Sequence, residues 1–139
     1  MKYAGGCHCG NVRIEFETEI SPTEVEVRAC QCTFCRKHNS RAVADPAGHL
    51  AIRATHEDQL GRYAFGLRTA EYLICKTCGV YVAAVTTDES EPRGIAIVNC
   101  LDAHRQFTGA PIAVDYDAER RDDRIGRRRQ RWTPVTMAR

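Results

Sequence analysis

Apolar and polar residues alternate with a period of two in several short runs. Between residues 11 and 17, Val12, Ile14 and Phe16 alternate with Arg13 and Glu15; between 24 and 28, Val25 and Val27 alternate with Glu24, Glu26 and Arg28. That period sends successive side chains to opposite faces of an extended backbone, so both runs predict half-buried strands. Five further segments, 49–54, 71–75, 80–87, 94–100 and 111–116, predict strands, punctuated by turns at Pro46, Gly48, Gly61, Pro92 and Gly109. The body is therefore mainly β. Only near the end does the pattern change. Asp117 is a candidate N-cap, Glu119 falls in a first turn, and Ile125 and Trp132 share one helical face, which predicts a short helix packing through Trp132.

A chain of 139 residues predicts one domain over 1–139, with its core at about 3–104 and a C-terminal strand and Arg-rich helix at 111–132. No repeat, low-complexity tract or Gly/Ser linker interrupts it. Lys and Arg number 20 against 18 acids, and a net charge of +2 gives no global reason to expect nucleic acid or an acidic membrane as partner. Seven arginines between 120 and 131 are a local exception. Glu119, Asp122 and Asp123 lie in the same stretch, able to pair with Arg127 and its neighbours, so a solvated helix face is the plainer reading and a nucleic-acid grip the rival. The N-terminal segment lacks the apolar run of a secretory signal, and no stretch approaches the ~18 apolar residues of a membrane span. A cytoplasmic protein is expected.

Eight cysteines change the picture most. In a reducing compartment, closely spaced cysteines hold metal or do catalysis more often than they form disulfides. Seven fall in three tight clusters, Cys7 and Cys9, Cys30, Cys32 and Cys35, and Cys75 and Cys78, leaving Cys100 alone. Zinc takes four tetrahedral ligands in a structural site and keeps one position open in a catalytic one, so ligand count decides between them. Cys7, Cys9, Cys75 and Cys78 make one closed four-thiolate site, and Gly10 and Gly79, one residue beyond each pair, suit the tight turns that let thiolates converge.

Cys30, Cys32 and Cys35 then remain as a set of three, the count for an open site. Two rivals stand beside that reading: His38 as a fourth ligand closing the site, or Cys32 and Cys35 as a C-x-x-C redox couple. Arg36, Lys37 and His38 follow at once and would offset the negative charge of three thiolates or hold an anionic ligand; otherwise they are solvent-facing turn residues. Cys100 reads as a buried apolar cysteine on a strand, with a role near the open site as the minority reading.

The segments GGCHCGNVRIEFE, CQCTFCRKH, CKTCGVYV and VNCLD, in this order, resemble the glutathione-dependent formaldehyde-activating enzyme family, whose domain is shared with centromere-protein-V-like proteins. The resemblance implies a β-tent fold with zinc knuckles and two zinc ions per chain. One would be a structural zinc on Cys7, Cys9, Cys75 and Cys78, the other a catalytic zinc on Cys30, Cys32 and Cys35, where the cofactor thiol binds. It also implies glutathione as co-substrate, and a carbon-sulfur lyase-type reaction on the adduct of glutathione with formaldehyde. Many members carry His where this chain has Gln31, a position between ligands whose change bears only on their surroundings. On this reading a zinc-held thiolate attacks a small aldehyde while Arg36 or Lys37, beside His38, engages a carboxylate of the thiol. The alternatives are a non-catalytic zinc module for protein or nucleic acid, and a methionine-sulfoxide reductase with Cys100 as its nucleophile.

Overall fold

The computed structural model describes residues 1–87 and 90–138. The chain runs β1 (Lys2–Gly6), β2 (Val12–Glu17), β3 (Arg28–Cys30), α1 (Thr33–His38), β4 (Ala42–Val43), β5 (His49–Ala54), β6 (Leu60–Tyr63), β7 (Ala70–Cys75), β8 (Tyr81–Thr86), β9 (Arg93–Ile97), β10 (Ile112–Val114), α2 (Arg121–Arg131) and β11 (Thr133–Ala138). All eleven strands join one sheet in the order β1-β2-β5-β11-β9-β4-β3-β10, with β6, β7 and β8 attached in sequence to β9. Along one edge β9 pairs with β8; along the other it pairs first with β11, through Gly94 and Thr133, and then with β4, through Ala96 and Val43. The mainly β expectation holds, with two short helices.

The period-two runs mostly became strands. Val12, Ile14 and Phe16 of β2 and Leu50, Ile52 and Ala54 of β5 bury one face each, and the two strands pair antiparallel with Ile14 opposite Ile52. The run 24–28 behaves differently. Val25 and Val27 are buried, but ladder pairing begins only at Arg28, because the N–H groups of Glu24 and Val25 both donate to the Ser21 carbonyl at 2.9 Å and hold the segment in a turn. The strand expected over 94–100 ends at Ile97, where Val98–Cys100 closes into a tight turn.

The C-terminal segment departs further from its pattern. The helix starts at Arg121, with Arg120 rather than Asp117 at its N-cap, so Glu119 precedes the first turn instead of lying in it. Trp132 is the C-cap, its side chain buried. The chain then enters β11, parallel to β5 and antiparallel to β9. Pro134 sits where β11 passes from β9 to β5, a place where a missing N–H is tolerated.

A main core of Phe16, Leu50, Ile52, Leu73, Val82, Val98 and Phe107 fills the fold, and a smaller one of Ala70, Tyr81, Ala84, Ile97 and Trp132 lies against Phe34 and Tyr72. The smaller core supports α1. Among the described residues no helix is long and apolar enough to cross a membrane.

Candidate metal centres and the cavities beside them

Cys7 and Cys75 open two similar turns. The N–H of Gly10 reaches back to the Cys7 carbonyl at 3.3 Å, and that of Gly79 to the Cys75 carbonyl at 2.8 Å. Both glycines adopt left-handed backbone, φ +85° and +81°, where a Cβ would add strain. Gly5 lets the turns meet: a Cβ there would collide with the Cys100 carbonyl, and with hydrogen alone β1 bridges to Leu101. The four Sγ atoms of Cys7, Cys9, Cys75 and Cys78 lie within 4.8 Å of one another. Cys7 to Cys9 is 3.7 Å and Cys9 to Cys75 is 3.6 Å. Sulfurs bound tetrahedrally at ~2.3 Å from zinc stand ~3.8 Å apart, so spacing and soft donor type both fit that ion. Desolvation pushes the Cys78 thiol up, but N–H groups of Cys9 and Val80 outweigh it, and Cys78 is lowered to about 6, toward the thiolate a metal needs.

Cys30, Cys32 and Cys35 are gathered by different means. Cys30 ends β3, held in register against Val114 of β10. Cys32 is the N-cap of α1, its sulfur accepting the Cys35 N–H at 3.4 Å, and Cys35 is buried one turn into the helix. Sequence patterning missed this helix because six residues are too few to show a 3.6-residue period. The three sulfurs also lie within 4.8 Å of one another, and among the described residues no histidine or carboxylate completes the set. Hydrogen bonds from Cys30 and then Cys35 bring the Cys32 thiol down to about 2, while the same contacts hold Cys30 and Cys35 up. One negative charge is thus easily formed and the next two are resisted.

His38 stands apart from these sulfurs. Its ring packs against Phe34, centroids 4.5 Å apart, and Tyr81, 5.5 Å, and it lines a 680 Å³ cleft with His8, Cys100 and His104. Arg36 and Lys37 are exposed on α1, and neither lines the two cavities that the three sulfurs border. Cys100 lies in the turn after β9, donating from its sulfur to the Tyr81 carbonyl at 3.0 Å. Burial pushes that thiol up to about 12, which keeps it protonated at neutral pH.

An aromatic shell closes around α1. Phe34 meets Tyr63, Phe65, Tyr72 and Tyr81 with centroids 4.7 to 5.7 Å apart. Burial holds the Tyr72 and Tyr81 phenols protonated, and the Tyr81 hydroxyl is buried without a hydrogen-bond partner among the described residues.

Sequence reasoning missed the inner face of α2. Arg121, Asp122, Asp123, Arg129 and Arg131 are exposed, as a solvated face requires, but Arg124 and Arg127 are half-buried and Arg128 is buried. Arg124 and Arg127 grip Glu119 at 3.3 and 2.9 Å, Arg127 stacks on Tyr116 at 3.6 Å, and Arg128 lies over Trp132 at 4.6 Å. Arg128 and Tyr72 line both cavities that border the sulfurs, one containing Cys30 and Cys35, the other Cys32. The signal was present in the spacing, since Arg124 and Arg128 flank Ile125 on the stripe that leads to Trp132; arginine-rich composition masked it.

The sequence profile described as glutathione-dependent formaldehyde-activating enzyme matches residues 2–116. The chain belongs to that family. It is also similar to a Rhodobacter sphaeroides protein of known crystal structure, a structural-genomics target, at 30% identity and a TM-score of 0.57, over 80% of this chain and 99% of that one. The profile ends before α2 and β11, so Arg124, Arg127 and Arg128, which border the sulfur cavities together with Arg28, come from outside the matched region.

Proposed function

We propose that the protein is a carbon-sulfur lyase-type enzyme acting on adducts of a small aldehyde with glutathione or a similar thiol, the family's formaldehyde reaction being the pattern. The carrying observation is the set of three sulfurs, with no fourth side-chain ligand among the described residues, at the border of two cavities. Family membership supports the reading. Cys30, Cys32 and Cys35 would hold a zinc ion, and Cys7, Cys9, Cys75 and Cys78 a second, structural one. With three sulfur ligands, the first ion would supply a position that favours a bound thiol as its thiolate.

The chain's own residues supply the rest. Phe65 and Tyr72 present aromatic surface to the cavity beside Cys32, and Phe34 packs against both. In the forward direction the thiol sulfur bonds to the carbonyl carbon, the carbon-oxygen π bond breaks, and the thiol proton ends on the new hydroxyl. No electrons are gained or lost. Arg124, Arg127 and Arg128 face this region, which supports a small-molecule role for them over a nucleic-acid grip.

Titrating glutathione into the zinc-loaded protein and into Cys32→Ala, followed by calorimetry, tests the proposal. The expected result is loss of at least ~100-fold in affinity with the melting temperature nearly unchanged, as removal of a metal ligand implies. Equal affinity in the two proteins would remove the mechanism.

A further inference from the structure

Arg128 is a buried cation with unmade bonds. It is 6% exposed, its Nη1 donates to the Thr69 hydroxyl at 2.6 Å, and its Nε is buried with no hydrogen-bond partner among the described residues. Of the carboxylates that border the same cavities, Glu119 accepts from Arg124 and Arg127 and Glu26 from Arg28 at 2.6 Å, while Asp117 is exposed to solvent. Among the described residues Arg128 makes no ion pair of its own. Burial lowers its pKa only to about 10, so it stays charged at neutral pH.

Leaving a guanidinium desolvated and short of an acceptor is unfavourable, and a planar fork of N–H donors matches a carboxylate better than any neutral group. The surrounding charge agrees. Around the two cavities Arg28, Arg124, Arg127 and Arg128 set four positive charges against the three negative charges of Glu26, Asp117 and Glu119. The cavities that Arg128 lines are those bordered by Cys30, Cys32 and Cys35, and the larger measures 380 Å³. A ligand with its sulfur at the cysteines therefore extends toward Arg128.

We propose that Arg128 is the anchor for a carboxylate of the thiol substrate, so that the site selects acidic thiols over neutral ones. This rests on the thiol-adduct function proposed above. It moves the carboxylate-binding role expected of Arg36 or Lys37 from the exposed side of α1 to the inner face of α2.

The test uses the zinc-loaded full chain and thiols differing in their acidic group: mercaptoacetate, 3-mercaptopropionate and 4-mercaptobutyrate against 2-mercaptoethanol, and glutathione against its diethyl ester. In the wild type at least one acidic thiol and glutathione are expected to bind about tenfold or more tightly than their neutral counterparts, the scale of a charge-assisted pair. Arg128→Gln should reduce that preference to within about twofold while leaving 2-mercaptoethanol binding in place. Arg128→Lys, which keeps the charge, should fall between. Zinc content and melting temperature are read on each variant, and the wild-type comparison stands even if a variant does not fold. An undiminished preference in Arg128→Gln overturns the anchor and leaves the thiol reading intact. Absence of any thiol binding in the wild type overturns both. Loss of zinc together with both thiol classes in Arg128→Lys also overturns the anchor, assigning the guanidinium to the sulfur cluster as its counter-charge.

Discussion

Cys7, Cys9, Cys75 and Cys78 stand on two similar glycine turns, whereas Cys30, Cys32 and Cys35 come from a strand end and a helix of six residues. The first group joins segments distant in sequence: the Cys9 to Cys75 contact spans 66 positions. A cross-link over that length removes ~4 kcal/mol of conformational freedom from the unfolded chain, by the reasoning applied to disulfides. The second group lies within one short segment and restricts the unfolded chain little. Its surroundings differ too, since cavities, arginines and phenols border it. With a metal ion bound at each, the same donor atom would serve stability where it closes a long loop with four ligands, and would leave room for chemistry where the ligands are local and three in number.

The largest expected effect would break this comparison outright if absent. Cys75→Ala removes a fully buried member of the four-sulfur group and should lower the melting temperature by about 15 °C or more, or prevent folding, with loss of bound zinc. Thermal melting by circular dichroism and metal analysis are the measurements. A stable Cys75→Ala protein would show that this group is not the staple. The Cys32→Ala variant described above is the matching control at the other group.

Acid should separate the two groups more finely. Cys30 and Cys35 are held up, so at neutral pH they carry protons in the metal-free protein, while Cys32, at about 2, does not. Metal binding must therefore displace two protons, and affinity at the three-sulfur group should fall about 100-fold for each pH unit lowered. Cys9, held up to about 11, makes the four-sulfur group acid-sensitive as well, but its fourth ligand holds the ion longer. With a chromophoric chelator present, zinc should therefore leave the three-sulfur group first as pH drops from 8 to 5. Release of both ions together would remove the distinction.

The smallest effect concerns the cover that only the second group has. Glu119 is held below the usual carboxylate range, first by its hydrogen bond from Arg127. A carboxyl group whose folded pKa is depressed adds stability above its unfolded value of ~4.3 and loses it as pH falls through the lower folded value. Glu119→Gln should accordingly cost roughly 1.5 kcal/mol at pH 7, about 5 °C in melting temperature, and a smaller amount at pH 3, with zinc content unchanged. An equal shift at both pH values would mean that the side chain acts through packing.

Much of the strand pattern was legible, because alternation is a local property that needs no partner to be recognised. Val12, Ile14 and Phe16, and the run 49–54, became buried strands with the expected faces. Val25 and Val27 alternate equally well, yet the ladder starts only at Arg28: the Ser21 turn spends the N–H groups of Glu24 and Val25, and the Val27 carbonyl accepts the Ile112 N–H at 2.8 Å just ahead of the first paired residues. The strand β11 carried no period-two signal that singled it out, and its place between β5 and β9 depends on residues 39 to 85 positions earlier in the chain.

By itself, the sequence determined which sulfurs sit close together, two pairs and a set of three by spacing, and that the left-handed turns after Cys9 and Cys78 would need glycine. Those are properties of a few neighbouring residues. Only the tertiary structure decided that Cys7 and Cys9 meet Cys75 and Cys78, that His38 turns toward Tyr81 rather than toward the second group, and that Arg128 points inward while Arg129 stays exposed. Each of those depends on which distant surfaces pack together, and a cation next to Trp132 is buried or solvated according to what the sheet presents beneath it.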